Sequence, residues 1–184
     1  MAFLNEGKQV LYLLPEIALT TQLISRLQAC LGGKVAVFHS RFSLNERVET
    51  WNNVQQKKDK AQVIIGARSA LFLPFSDLGL VIVDEEHENS YKQDTNPRYQ
   101  ARDLAVVRGV LEKCPVVLGS ATPSLESWNN VQTGKYDLAE MLLRVDDRPE
   151  AAEVDQKEDP GTDKDRGGVL LQQLELRLAE VEES

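Results

Sequence analysis

Five short, mainly apolar runs rich in β-branched residues lie at 9–14, 34–38, 62–65, 80–83 and 115–118, each bounded by turn-forming residues. Such runs, apolar on both faces of a strand, suit a sheet covered on both sides, and the longer segments between them supply helical crossovers. Helices are expected over 17–31, 45–58, 101–113 and 124–133, the first closed by Gly32-Gly33, and a further strand over 136–143. The expected fold class is α/β: a doubly wound, mainly parallel sheet with helices on its faces.

From Asp146 the pattern changes. A polar stretch over 146–168, punctuated by Pro160-Gly161 and Gly167-Gly168, reads as an acidic, disordered linker. Leu171, Leu174, Leu178 and Val181 then recur at 3-4-3 spacing, which predicts a short amphipathic helix over 169–184. The expected organisation is thus one lobe over 1–145, a linker and a terminal helix. The formal charge of −8 belongs to the tail, because residues 1–136 carry a net of +1 and residues 137–184 a net of −9. A near-neutral body neither supports nor excludes a nucleic-acid partner. Cys30 and Cys114 have no metal-ligand neighbours at suitable spacing, so reduced thiols are expected rather than a zinc site. No apolar run reaches the roughly 18 residues of a membrane helix, and the first residues lack the pattern of a signal peptide. No membrane partner is expected, and the expected compartment is the cytoplasm.

Four blocks follow the predicted strands: 14–20 (Leu-Pro-Glu-Ile-Ala-Leu-Thr), 66–72 (Gly-Ala-Arg-Ser-Ala-Leu-Phe), Asp84-Glu85-Glu86-His87, and Gly119-Ser120-Ala121-Thr122-Pro123. In a parallel α/β sheet such positions share one edge, where ligands bind. A strand that delivers two adjacent carboxylates there suits an ATPase site, with Asp84 helping to hold Mg²⁺ and Glu85 orienting the water that attacks a γ-phosphate. A solvated acidic turn is the simpler alternative. Between 90 and 105, Tyr91 and Tyr99 offer ring faces for bases, while Lys92, Arg98 and Arg102 offer cations for phosphates. A surface loop with two half-buried tyrosines would show the same residues. Thr122-Pro123-Ser124 also has the composition of a helix cap.

On these blocks, and above all on Ser90-Tyr91-Lys92-Gln93 followed by Pro97-Arg98-Tyr99-Gln100-Ala101-Arg102-Asp103-Leu104-Ala105, residues 7–145 resemble the first motor lobe of superfamily 2 helicases, in their replication-restart family. The resemblance implies a RecA-like P-loop NTPase lobe with ATP and Mg²⁺ as cofactors. It further implies that Asp84 contacts Mg²⁺, usually through water, that Glu85 activates the hydrolytic water, and that His87 relays nucleotide state toward the DNA side. Ser120 and Thr122 resemble the Ser-Ala-Thr motif that couples hydrolysis to lobe movement. Thr20, Gln22, Arg68 and Ser69 occupy positions that contact the DNA backbone in the family, with Glu16 as an orienting group or cap. The loop with Tyr91, Lys92, Tyr99 and Arg102 is the family's aromatic-rich loop. The implied partners are forked and single-stranded DNA and the replication-restart primosome proteins, and a monomer is expected.

The chain departs from the family in one respect that bears on chemistry. No Gly-x-x-x-x-Gly-Lys-Ser/Thr loop precedes the Pro15 block. Gly7-Lys8-Gln9 echoes its ending, but Gln9 stands where a Mg²⁺-binding hydroxyl belongs. The family's second lobe, N-terminal DNA-binding domain and zinc-holding cysteines also have no counterpart, so zinc is expected only in parts of a parent protein. The expectation is a fragment or degenerate relative of an ATP-dependent DNA helicase, the isolated chain being inactive. A non-catalytic DNA-binding or protein-interaction module derived from such a lobe is the alternative.

Overall fold

A computed structural model of the chain describes residues 2–140. Helix α1 (Ala2–Asn5) leads through Gly7 into strand β1 (Gln9–Leu13). There follow α2 (Thr21–Leu31), β2 (Val35–Phe38), α3 (Leu44–Gln55), β3 (Val63–Gly66), β4 (Leu78–Val83), the two-residue strands β5 (Lys92–Gln93) and β6 (Tyr99–Gln100), α4 (Ala101–Glu112), β7 (Val116–Leu118) and α5 (Leu125–Gln132). Among the described residues, Ala2–Trp128 form one compact unit and residues 129–140 belong to a second. The proposed linker over 146–168 and the terminal helix over 169–184 lie outside the described residues.

Five strands form one parallel sheet in the order β2-β3-β1-β4-β7. Its two central neighbours are in register as Leu11↔Val81, Tyr12↔Ile82 and Leu13↔Val83, with Leu11↔Ile64 on the other flank. β1, β3 and β4 are buried along their whole length, as expected of a sheet covered on both faces. The sheet class and mainly parallel pairing match the expectation from sequence.

Two expected elements differ. The helix expected over 17–31 starts at Thr21: Pro15 leads into a single 3₁₀ turn, closed by Ala18 N–H donating to the Pro15 carbonyl, and Thr20 then extends and caps α2 through its hydroxyl to Leu23 N–H. The strand expected over 136–143 is absent from its described part. Gly134 takes a positive φ of 70° at the end of α5, and the amides of Lys135 and Tyr136 both return to the Asn130 carbonyl. Tyr136 N–H is therefore spent on the helix end rather than on a ladder. α3 starts one residue before the expected 45–58 helix, with a full capping box between Ser43 and Glu46.

Gly66 ends β3 and opens the 3₁₀ turn Arg68–Phe72. A Cβ there would lie 2.5 Å from the Phe38 carbonyl oxygen and 2.5 Å from Ala70 Cβ, and the first of these belongs to paired backbone. Gly66→Ala should therefore destabilise the chain by about 1–3 kcal/mol through forced backbone displacement. Urea denaturation checks this, and a loss under about 0.5 kcal/mol would show that edge strand β2 yields freely.

Candidate functional site

Because the sheet is parallel, the Pro15, Gly66, Asp84 and Gly119 blocks leave at one edge, with β1 between β3 and β4. Gly7-Lys8-Gln9 enters at the opposite edge. There the Lys8 ammonium pairs with Glu6 at 3.0 Å. The fully buried Gln9 amide donates to the carbonyls of Val54 and Ala61 and accepts from the amides of Ser76 and Asp77. Gln9 is a structural staple between loops, and Lys8 stands a whole strand away from Asp84.

Asp84 follows the last residue of β4, and its N–H donates to the Leu13 carbonyl at 3.0 Å. Each carboxylate oxygen accepts one hydrogen bond: Oδ2 from the Tyr12 hydroxyl at 3.1 Å, Oδ1 from Glu85 N–H at 3.0 Å. Burial lifts its pKa to about 6, with the neighbouring Glu85 charge adding to the rise and the two hydrogen bonds opposing it. Tyr91, buried beneath, donates its hydroxyl to the Asp84 carbonyl at 2.6 Å and to the Leu13 carbonyl at 3.1 Å. Two tyrosines thus clamp this residue, one by its side chain and one by its backbone. Burial raises both phenol pKa values, so both stay protonated donors.

Glu85 takes a φ of 47°, the left-handed region that L residues avoid, and its half-exposed carboxylate faces His87 Nδ1 at 3.7 Å. His87 Nδ1 lies 2.7 Å from Ser120 Oγ. That oxygen already accepts from Thr122 N–H at 3.0 Å, so its own hydrogen is available to the imidazole. The geometry joins Asp84, Glu85, His87 and Ser120 in one line across the ends of β4 and β7, while the Thr122 side chain is exposed beside it.

Glu86 is the group that sequence reasoning missed. It is 1% exposed, and its carboxylate accepts from Ser124 N–H (2.6 Å), Ser124 Oγ (3.0 Å), Ser127 Oγ (2.9 Å) and Arg102 Nη1 (3.1 Å). Burial pushes its pKa up, but these donors together outweigh it and hold the carboxyl below the ordinary range. The legible signal was Ser124-x-x-Ser127 at a helix start, where Ser124 Oγ also accepts Ser127 N–H as a cap.

Two expected DNA contacts are corrected by their surroundings. Arg102 is buried and its guanidinium is spent on Glu86, Asp103 and Ser124, so it presents no free fork to a phosphate. Tyr91 is 1% exposed and presents no ring face to a base. Arg68, half-buried, donates to the carbonyls of Ser90 (2.9 Å) and Lys92 (2.7 Å), bracing the loop against the β3 turn. Ser69 beside it is half-buried. Tyr99 is half-buried with its ring edge-on to the exposed Phe72 at 5.2 Å. Lys92 is exposed, 3.3 Å from Asp94, and Arg98 is exposed. Thr20 and Gln22, both exposed, flank the start of α2.

Hard carboxylate oxygens with open lone pairs at Asp84 and Glu85 fit Mg²⁺ that keeps most of its water and takes its remaining ligands from phosphates. Among the described residues no cluster of three or more His, Cys, Asp or Glu could hold a metal ion. The phosphate side is different: no glycine-rich loop lies at this edge among the described residues.

Residues 1–131 match the family described as DEAD/DEAH box helicase. Among curated relatives, the replication restart protein PriA of Bacillus subtilis is 42% identical over 98% of this chain, and that of Synechocystis 48% identical over 79%. PriA of Chlamydia pneumoniae is 49% identical over 77%. The chain spans about a fifth of the length of these relatives: 23%, 18% and 19% respectively.

Proposed function

This chain belongs to the DEAD/DEAH box helicase family, and from that membership we propose that it forms part of the first motor lobe of an ATP-dependent DNA helicase of the replication-restart type. Its fold is the RecA-like α/β lobe of that family, whose members use ATP-type nucleotides, usually with Mg²⁺. The observation that carries the proposal is the run of Asp84, Glu85, His87 and Ser120 across one sheet edge, held from beneath by Tyr12 and Tyr91. A Mg²⁺ ion bound with the nucleotide would supply neutralisation of phosphate charge. Asp84, oriented by Tyr12, would hold such an ion through its water shell. Glu85, half-exposed, orients and deprotonates the attacking water. His87 contacts Ser120, which supports a path from the carboxylates to the Gly119–Thr122 strand end and so to the other side of the motor.

The DNA track we propose uses Thr20, Gln22, Arg68, Ser69, Lys92, Arg98 and Tyr99, which share the functional edge or the loop beside it. Arg68 and Ser69 meet backbone phosphates, and Tyr99 with Phe72 offers an aromatic corner for a base. Forked and single-stranded DNA, primosome proteins, a monomeric state and a cytoplasmic setting complete the proposal. No helix among the described residues is long and apolar enough to cross a membrane.

Grafting residues 1–145 in place of the matching segment of the Bacillus subtilis relative tests the reading. The chimera should hydrolyse ATP faster with single-stranded DNA present and unwind a forked duplex. ATP turnover indifferent to DNA would overturn it. The 184-residue chain alone should bind Mg-ATP weakly, because the lysine and backbone amides that cradle phosphates are missing from its sequence. Calorimetry giving a Kd tighter than about 10 µM, roughly −7 kcal/mol, would locate a phosphate site elsewhere in the chain.

A further inference from the structure

Glu85 is held in a left-handed backbone conformation at φ 47° without being a glycine. Such a residue keeps its geometry only where its neighbours over-determine it. On its N-terminal side the constraint is visible: Asp84 N–H is bonded to Leu13, and Glu85 N–H to Asp84 Oδ1. On its C-terminal side its carbonyl accepts from Glu88 N–H at 2.8 Å, and a further constraint is Glu86. Its N–H donates to the Gly119 carbonyl at 3.0 Å, and its carboxylate gathers four donors from the start of α4 and the start of α5. Arg102 closes the node, since its Nη1 serves both Glu86 and Ser124 Oγ while its Nε is fixed by Asp103.

We propose that Glu86 and Arg102 are positioning residues for Glu85: the buried node they form sets the strained turn that aims the Glu85 carboxylate at its water. This rests on Glu85 being the group that activates that water. Fully satisfied buried polar networks select one geometry sharply, and removing one member leaves the others uncompensated. The surface loss of one cation does neither, which is why Arg102 fits this role and not that of a phosphate contact. Arg102 also lies two residues after the end of the loop carrying Tyr99 at β6, so the node fixes where that loop joins α4.

The test has two arms, so that failure of the node and failure of Glu85 as the water-activating group can be told apart. In the 184-residue chain, amide hydrogen exchange followed by NMR should show Glu85 and Glu86 N–H exchanging at least about 10-fold faster in Arg102→Gln. The amides of Leu11, Ile64 and Val81 should stay within about twofold, and Arg102→Lys should restore most of the protection by restoring the charge. Equal acceleration at all five amides would mean a general stability role and would overturn the proposal. In the chimera, Arg102→Gln should lower kcat at least about 10-fold with KM for ATP unchanged, and Arg102→Lys should recover most of it. An unchanged kcat beside a locally loosened Glu85 would overturn positioning for catalysis. An active Glu85→Gln chimera would instead overturn the role of Glu85, leaving the exchange arm to decide whether the node sets the turn.

Discussion

Glu86→Ala should cost the chain about 3–5 kcal/mol, because it leaves the buried Arg102 guanidinium and two serine hydroxyls without their acceptor. Against a typical domain stability of about 5–15 kcal/mol, that is a large share. Urea denaturation of the full chain measures it, and a loss below about 1 kcal/mol would mean that water replaces the carboxylate cheaply. The sign of the pH effect is fixed by the depressed pKa of Glu86. The carboxylate contributes stability that is present above the ordinary glutamate value of about 4 and is lost as pH falls through the lower folded-state value. The advantage of the parent over Glu86→Gln should therefore be full at neutral pH and shrink in acid. An advantage that persisted unchanged below that range would show that hydrogen bonding, and not charge, holds the node.

Glu85→Gln in the chimera should leave folding and nucleotide affinity intact yet reduce ATP turnover by about 10²–10⁴-fold, the range expected for loss of a general base. The amide keeps the shape of the side chain and cannot take the proton. The half-exposed carboxylate carries no buried network, so its replacement should leave the melting temperature in place. Turnover within about threefold of the parent, under roughly 1 kcal/mol of barrier, would remove Glu85 from the chemistry. His87 and Ser120 would then remain a structural pair at the strand ends.

Much of the fold was legible in the sequence for a local reason. Runs such as 63–65 and 80–83 are apolar at every position, and a strand buried on both faces requires just that. Once the strands are parallel, every block that follows one must emerge at the same edge, so Asp84, Glu85, Arg68 and Ser120 could be grouped before any coordinate was known. The missing helical turn at Ile17 was legible in principle, since Pro15 and the capping Thr20 bracket it. The absent strand at Tyr136 was not, because it depended on which acceptor its amide found.

What only the tertiary structure decided is the fate of individual side chains in the loop between β4 and α4. Tyr91 and Tyr99 carry the same ring, and Arg98 and Arg102 the same charge, four residues apart. Tyr91 is buried because its hydroxyl reaches carbonyls on β1, 78 residues away, and at Asp84. Tyr99 remains half-exposed against Phe72. Arg102 is buried because Glu86, 16 residues earlier, waits for it together with serines 22 and 25 residues later. Composition and spacing specify strands because burial of a run is a property of the run itself. They cannot specify whether a cation meets solvent or a carboxylate, because that choice is made by partners which only the packing of separate elements brings within hydrogen-bonding distance.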